Sequence, residues 1–136
     1  MLSMFTHAYY KDLFMHLLNC EDVGYEAGER GISLILHSKY LDEVPTLVFL
    51  RGNLLTFCCE NLTVVNTLQL SAAYKLINDL NSEHKDIKFL LDDRQICLTM
   101  QSFILHDKMV SQCLLAMQRL TEVLDNVYPK IKYILK

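Results

Sequence analysis

The amino-acid sequence predicts an α+β fold, in which a five-stranded antiparallel sheet has helices packed on one side. Hydrophobic side chains make up 51% of the 136 residues, which is enough to form a core. Their spacing switches several times between the period of a helix and the period of a strand. Runs of predicted strands are interrupted by single helices, which favours an antiparallel sheet over a doubly wound parallel one. The expected order is α-β-β-β-α-β-β-α, in a single domain that spans residues 1–136.

The first half of the chain is expected to contain one helix and three strands. Apolar residues recur with nearly helical spacing over about residues 4–20, and a polar stretch that contains three glycines follows. Three short apolar segments come next, at 32–37, 46–51 and 54–60. The pair Gly52-Asn53 separates the last two segments, and glycine in its first position supplies the positive φ of a type II′ hairpin turn. The last two strands are therefore predicted to be antiparallel neighbours.

The second half is expected to contain two helices and a second hairpin. Apolar residues step by three and four over about residues 70–84, which is typical of an amphipathic helix. Two alternating segments, at 87–91 and 95–101, flank a short polar turn and predict two paired strands. A long apolar stripe predicts a third helix over about residues 107–128, which Pro129 is expected to end.

The C-terminal two-thirds of the chain also resembles a known family. Residues 77–84 resemble the end of a helix in the YbjN family, and residues 87–92 resemble the strand that follows it there. Residues 95–100 and 124–129 are similar to the next strand and to the end of the last helix, so that the resemblance spans about residues 44–131. It implies a fold like that of type III secretion chaperones, a bacterial source and, in many relatives, a homodimer. The family is described as regulators of sensory transduction, and the resemblance implies no reaction and no catalytic residue.

The sequence carries no arrangement of reactive groups, so we expect no catalytic residue, no metal site and no cofactor. The histidines lack the paired spacings of metal sites, and the glycines are too scattered for a phosphate-binding loop. A net charge of −3 argues against binding to nucleic acid or to an anionic membrane. One alternative is a small hydrolase or ligand-binding regulator, with a pocket between sheet and helices that holds at least two of four residues. Those residues are His37, Glu60, His84 and His106.

Cysteine usage and the N-terminal segment predict a cytoplasmic protein. The count of five cysteines is odd and includes no Cys-x-x-Cys spacing, which is a poor framework for disulfides and favours reduced thiols. The sequence shows no signal peptide and no apolar stretch long enough for a membrane helix.

A surplus of hydrophobic residues is the strongest functional indication. Residues 47–50 are all apolar, and a strand that is apolar on both faces is buried on both faces. Helices on one side leave the second face to be covered by the chain's own loops and apolar tail, or by a partner molecule. The leading hypothesis is a non-enzymatic protein-binding module, chaperone-like or regulatory, that forms a homodimer; a structural component of a larger complex is a further alternative. The candidate contacts are Val48, Leu50, Val110, Leu114 and Met117.

Overall fold

A computed structural model describes residues 2–20, 23–29, 31–41 and 43–135, and for residues 2–10, 61 and 106 it describes the backbone alone. These residues form three helices and one sheet of six strands. The helices are α1 (Leu2–Cys20), α2 (Leu70–Glu83) and α3 (Met109–Ile134). The strands are β1 (Tyr25–Ala27), β2 (Ile32–Leu36), β3 (Val44–Arg51), β4 (Leu54–Val64), β5 (Ile87–Asp92) and β6 (Gln95–Phe103).

The sheet confirms the α+β class and the antiparallel arrangement, but the predicted number and order of strands are wrong. Its spatial order is β1-β2-β3-β4-β6-β5, and every neighbouring pair is antiparallel. The sequence order is α-β-β-β-β-α-β-β-α, because β1 precedes the three strands predicted in the first half. With three residues, β1 is too short to show a period of two, and it forms by pairing with β2, where Tyr25 lies opposite Leu34.

Both predicted hairpins form, with the mirror-image turns that suit twisted strands. In the β3–β4 turn Gly52 has a φ of 63° and Asn53 does not have a positive φ, as predicted for a type II′ turn. In the β5–β6 turn Asp93 and Arg94 have φ values of 48° and 63°, which is the pattern of a type I′ turn.

The third helix is longer than predicted, because Pro129 does not end it. Pro129 lies inside α3, which continues to Ile134. Proline removes one backbone hydrogen bond from a helix interior. Ile131, which follows it, is fully enclosed in the core, and this burial offsets the lost bond.

The core lies between the three helices and one face of the sheet, which we call the covered face. Alternate side chains of every long strand point into it, together with the apolar stripes of the helices. Thr46 is the one polar side chain recorded as buried among the described residues, and its hydroxyl donates to the carbonyl oxygen of Val44 at 3.0 Å. The predicted placement of helices on one side of the sheet is therefore what the core requires.

The outer edge of β5 is occupied by a side chain of α2. The Nδ2 atom of Asn81 donates to the carbonyl oxygen of Phe89 at 3.0 Å, and the backbone N–H of Phe89 donates to Oδ1 of Asn81 at 2.6 Å. The amide thus forms the two bonds that a neighbouring strand would form.

Candidate functional site

The second face of the sheet, which we call the open face, is not covered by any of the three described helices. Strand β3 shows the division most clearly: Val48 and Leu50 point into the core, whereas Leu47 and Phe49 between them lie half-buried on the open face. Leu47 lies opposite Cys58 of β4, which in turn lies opposite Thr99 of β6. A band of apolar and small polar side chains therefore crosses the open face.

A groove of about 770 Å³ lies on the open face across β2, β3 and β4. Its floor is formed by apolar side chains and a thiol, namely Ile35, Pro45, Leu47 and Cys58. The three strands bring these residues together because Ile35 lies opposite Pro45 in the β2–β3 register and Leu47 lies opposite Cys58 in the β3–β4 register.

The rim of this groove is acidic. Glu26 of β1, Glu43 before β3 and Glu60 of β4 line it, and no lysine or arginine is among the described residues that do so. His37 also lines it. Burial raises the pKa of the Cys58 thiol, and the negative charges near it, with Glu60 first, raise it further. The groove therefore combines an apolar floor with a negative potential.

The backbone of β4 is irregular beside the groove. In β4 the register to β6 shifts between Cys59 and Thr63, so that three residues of β4 lie opposite one residue of β6. Such a bulge bends a strand and re-aims its side chains, here including Glu60.

A close backbone approach before β2 requires a glycine. A Cβ atom on Gly31 would lie 2.5 Å from the carbonyl oxygen of Val48, so only glycine allows the chain to pass this close to β3 before entering β2.

A second exposed apolar region joins the end of β6 to the start of α3. Phe103, Leu105 and Val110 are each more than half exposed, and we call these three residues the β6–α3 patch. Gln112 holds the intervening backbone in place, because its Oε1 accepts from the N–H of Leu105 at 2.6 Å and its Nε2 donates to the carbonyl oxygen of Phe103 at 3.3 Å. A cluster of exposed apolar side chains on an ordered backbone is typical of an interaction site.

The five predicted contact residues are divided between the core and the surface. Val48, Leu50 and Met117 are buried in the core, where they pack within the chain itself. Val110 belongs to the β6–α3 patch, and Leu114, one turn later, is half-buried beside the core. Contact with a partner stays a prediction for all five, and Val110 and Leu114 are the ones a partner could reach in this structure.

The residues proposed for the alternative pocket are only partly brought together. His37 and Glu60 line the same groove, but that groove lies on the open face and not between sheet and helices. His84 lies instead against Phe89, with 6.1 Å between the ring centroids. The side chain of His106 lies outside the described residues.

The groove residues Ile35, Glu26 and Glu43 were not singled out from the sequence, and Leu47 was noted only as part of the apolar run at 47–50. Alternation places Leu47 on the face of β3 opposite to that of Val48 and Leu50, but it does not indicate which face forms the core. No local pattern could have indicated Glu26 and Glu43, since they reach the rim only through the pairing of the strands beside them.

The described residues contain no group of three metal-ligating side chains. None of the five cysteines forms a disulfide, and burial raises the pKa of Cys59 to about 11 and that of Cys113 to about 12. Thiols with such values are almost fully protonated at neutral pH and are poor nucleophiles. No helix in the described part of the chain is long and apolar enough to cross a membrane.

An antiparallel sheet with helices on one face and an unoccupied second face defines the class as an α+β, secretion-chaperone-like fold. Two solved structures share it. YbjN from E. coli, a candidate transcription regulator, superimposes with a TM-score of 0.71 over 90% of this chain and 90% of that chain, at 13% sequence identity. The type III secretion chaperone SycH from Yersinia pestis, crystallised with a stable fragment of another protein, superimposes with a TM-score of 0.55 over 87% of this chain and 98% of that chain, at 16% identity.

No protein-family model matches the sequence, and no curated protein matches it. At such low identity the likeness to the two structures concerns the fold. The chain therefore has a YbjN-like, chaperone-like fold, which confirms the resemblance found in the sequence.

Proposed function

We propose that this protein is a non-enzymatic, polypeptide-binding module with a chaperone-like or regulatory role, and that it acts as a homodimer. The observation that carries the proposal is the β6–α3 patch, in which three large apolar side chains are exposed within eight residues. The side chain of Gln112 holds the backbone of this segment by two hydrogen bonds. The shared fold supports it, since one structural neighbour is a secretion chaperone with a protein fragment bound. Fold alone does not fix function, so the patch has to be tested directly.

In this proposal Val110 and Leu114 of α3 contact the bound polypeptide, together with Phe103 and Leu105. Apolar contact of this kind is tolerant of sequence, which suits a protein that holds an unfolded or extended segment. We also propose a reducing, cytoplasmic location, because none of the five thiols is paired in a disulfide and three of them are buried.

The test measures binding of a permanently unfolded protein that has been reduced and carboxymethylated. Fluorescence anisotropy is compared for the unmodified chain and for the triple variant Phe103→Ser/Leu105→Ser/Val110→Ser. We expect the triple variant to bind at least about ten-fold more weakly, because each serine removes a large apolar contact.

The matched control changes three exposed apolar residues elsewhere, as Val64→Ser/Leu68→Ser/Tyr74→Ser. This control should bind like the unmodified chain. Absence of binding by the unmodified chain, or equal affinity of the two triple variants, would contradict the proposal.

A second candidate function is a regulator that binds a small ligand in the groove. It is supported by the groove volume of about 770 Å³, which lies in the usual range for small-molecule sites, and by the presence of both His37 and Glu60 on its lining. Thermal unfolding against a panel of metabolites and metal ions tests it. A rise in Tm with one compound, lost in the variant Leu47→Glu, would favour this candidate, and no rise with any compound would count against it.

A further inference from the structure

The C-terminal end of α3 exposes a surface that is both apolar and basic. Tyr133 is 77% exposed and Ile134 is 46% exposed, although neighbouring Ile131 is buried in the core. Lys130 and Lys132 are exposed beside them. We call Lys130, Lys132, Tyr133 and Ile134 the α3 end.

The two lysines of the α3 end are available for a further partner. Lys130 forms an ion pair with Glu83, with 3.1 Å between Nζ and Oε2, but both side chains are about half exposed and such surface pairs contribute little. The Nζ atom of Lys132 lies 5.7 Å from the centroid of the Tyr128 ring, which also leaves it near solvent. Neither lysine is enclosed.

The groove on the open face is complementary to this surface. Its floor is apolar, and its rim carries Glu26, Glu43 and Glu60 with no lysine or arginine among the described lining residues. An apolar and basic helix end can place its apolar side chains on such a floor and its ammonium groups at such a rim. Matching potentials of this kind fix the orientation of an interface and disfavour other partners.

The α3 end cannot fill the groove of its own chain. Helix α3 packs on the covered face of the sheet through residues such as Val127 and Ile131, whereas the groove is on the open face. The sheet therefore separates the two surfaces, and they can meet only between different molecules.

We propose that the α3 end of one copy occupies the acidic groove of a second copy, and that the exchange is reciprocal in a two-fold symmetric dimer. The same surfaces then serve on both copies, and the interface closes instead of continuing into a filament. Each copy contributes one groove and one helix end, so the contact is formed twice in the dimer.

This inference rests on the homodimer in the proposed function and says which surfaces form it. It leaves the β6–α3 patch outside the dimer contact and accessible to a bound polypeptide. Because the proposed contact pairs lysines with glutamates, the dimer should weaken as ionic strength rises.

The test reverses the charge on each side separately. One variant is Glu26→Lys/Glu43→Lys/Glu60→Lys, and the other is Lys130→Glu/Lys132→Glu. Size-exclusion chromatography with light scattering should give the unmodified chain a mass of twice 15.8 kDa. Each reversed variant alone should be monomeric, with a dimer Kd raised by about 100-fold or more, because like charges then face each other at both contacts.

An equimolar mixture of the two reversed variants distinguishes charge pairing from damage to the fold. In the mixed dimer one contact has the original charges and the other has them exchanged, so that both contacts are attractive. The mixture should recover a mass of two chains. Circular dichroism and thermal unfolding of each variant check that it is folded.

Controls reverse equal charge elsewhere, as Glu29→Lys/Asp79→Lys/Glu122→Lys and as Lys75→Glu/Lys85→Glu, and these should remain dimeric. If the groove variant stays dimeric, or the mixture stays monomeric, the inference is overturned while the proposed homodimer can stand on other surfaces. If the unmodified chain is a monomer, both fail. If that monomer binds a Lys-rich apolar peptide in the groove, the occupant is a different protein and the inference also fails.

Discussion

The two faces of one sheet differ more than any two separate regions of this molecule. On β3 and β4, Val48 lies opposite Phe57 on the covered face, and one residue further along, Phe49 lies opposite Thr56 on the open face. The first pair is enclosed by helices and the second is only half-buried. Residues with similar apolar character therefore serve stability on one face and remain available for binding on the other. A shift of one residue in register would exchange these roles.

The largest expected effect comes from removing an aromatic ring on each face. Phe57→Ala should lower the free energy of unfolding by about 3–5 kcal/mol, because it leaves a cavity in a core that cannot collapse to fill it. Phe49→Ala should cost less than about 1.5 kcal/mol, since that ring is only partly removed from water. Urea unfolding of both variants measures the difference, and equal losses would mean that the open face is covered in solution.

Adjacent thiols provide the next comparison. Cys58 lies on the open face and Cys59 on the covered face, as their adjacency on a strand predicts. In the background Cys20→Ser, which removes an exposed thiol, Cys58 should react with a thiol reagent at least about 100-fold faster than Cys59. Burial raises the pKa of Cys59 to about 11, so its thiolate is scarce in the folded chain, and labelling of Cys59 requires the core to open.

The pH dependence of labelling sharpens the same comparison. The pKa of Cys58 is raised above 9.0 by burial and by nearby negative charge. Its labelling rate should therefore still be rising at pH 9, because the fraction of reactive thiolate keeps increasing until the pH exceeds the raised pKa. The variant Glu60→Gln should move the midpoint of this profile downwards, and an unchanged profile would show that Glu60 does not act on the thiol.

A smaller effect is expected at the edge where the two faces meet. Asn81→Leu should lower the free energy of unfolding by about 1–3 kcal/mol, since the N–H and the carbonyl oxygen of Phe89 both lose a partner. Asn78→Leu, one turn earlier on the exposed side of α2, should change it by less than about 0.5 kcal/mol. Thermal or urea unfolding separates the two, and similar losses would assign the effect to helix propensity.

The smallest effect is expected for an ion pair on the helix side. Nε of Arg119 lies 2.8 Å from Oδ2 of Asp86, and Nη2 lies 3.2 Å from Oδ1. The hydrogen bond from Arg119 lowers the pKa of Asp86. Because both side chains are more than a third exposed, Asp86→Asn should cost only about 0.5 kcal/mol.

The pH dependence of this cost has a defined sign. When folding lowers the pKa of a carboxyl group, that group stabilises the fold fully at pH values above its pKa in the unfolded chain. The contribution is lost as the pH falls through its pKa in the folded chain. The difference in unfolding free energy between the unmodified chain and Asp86→Asn should be constant above about pH 5 and should shrink as the pH falls through the lowered pKa of Asp86. A difference that persists in acid would point to packing of the Asp86 side chain.

Local signals were sufficient to predict the antiparallel arrangement, both hairpins and the packing of the helices on one side of the sheet. They failed where a structure depends on distant pairing: β1 has only three residues, and α3 continues beyond Pro129 because Ile131 is held by the core. The run at 47–50 indicated that both faces of β3 are apolar. Because all four residues are apolar, the sequence could not show whether Val48 and Leu50 or their two neighbours face the core. The acidic groove could not be predicted from the sequence, because its glutamates come from separate segments of the chain.

The register shift in β4 has a consequence for how durable the groove is. Two strands of unequal length that remain paired must curve, with the longer strand on the outside of the bend. A bend of this kind comes from the backbone and does not depend on the size of any side chain that lines the groove. Substitutions can therefore change the charges or the floor of the groove to suit another partner without removing the bend. The bend would be lost only if residues were deleted from β4.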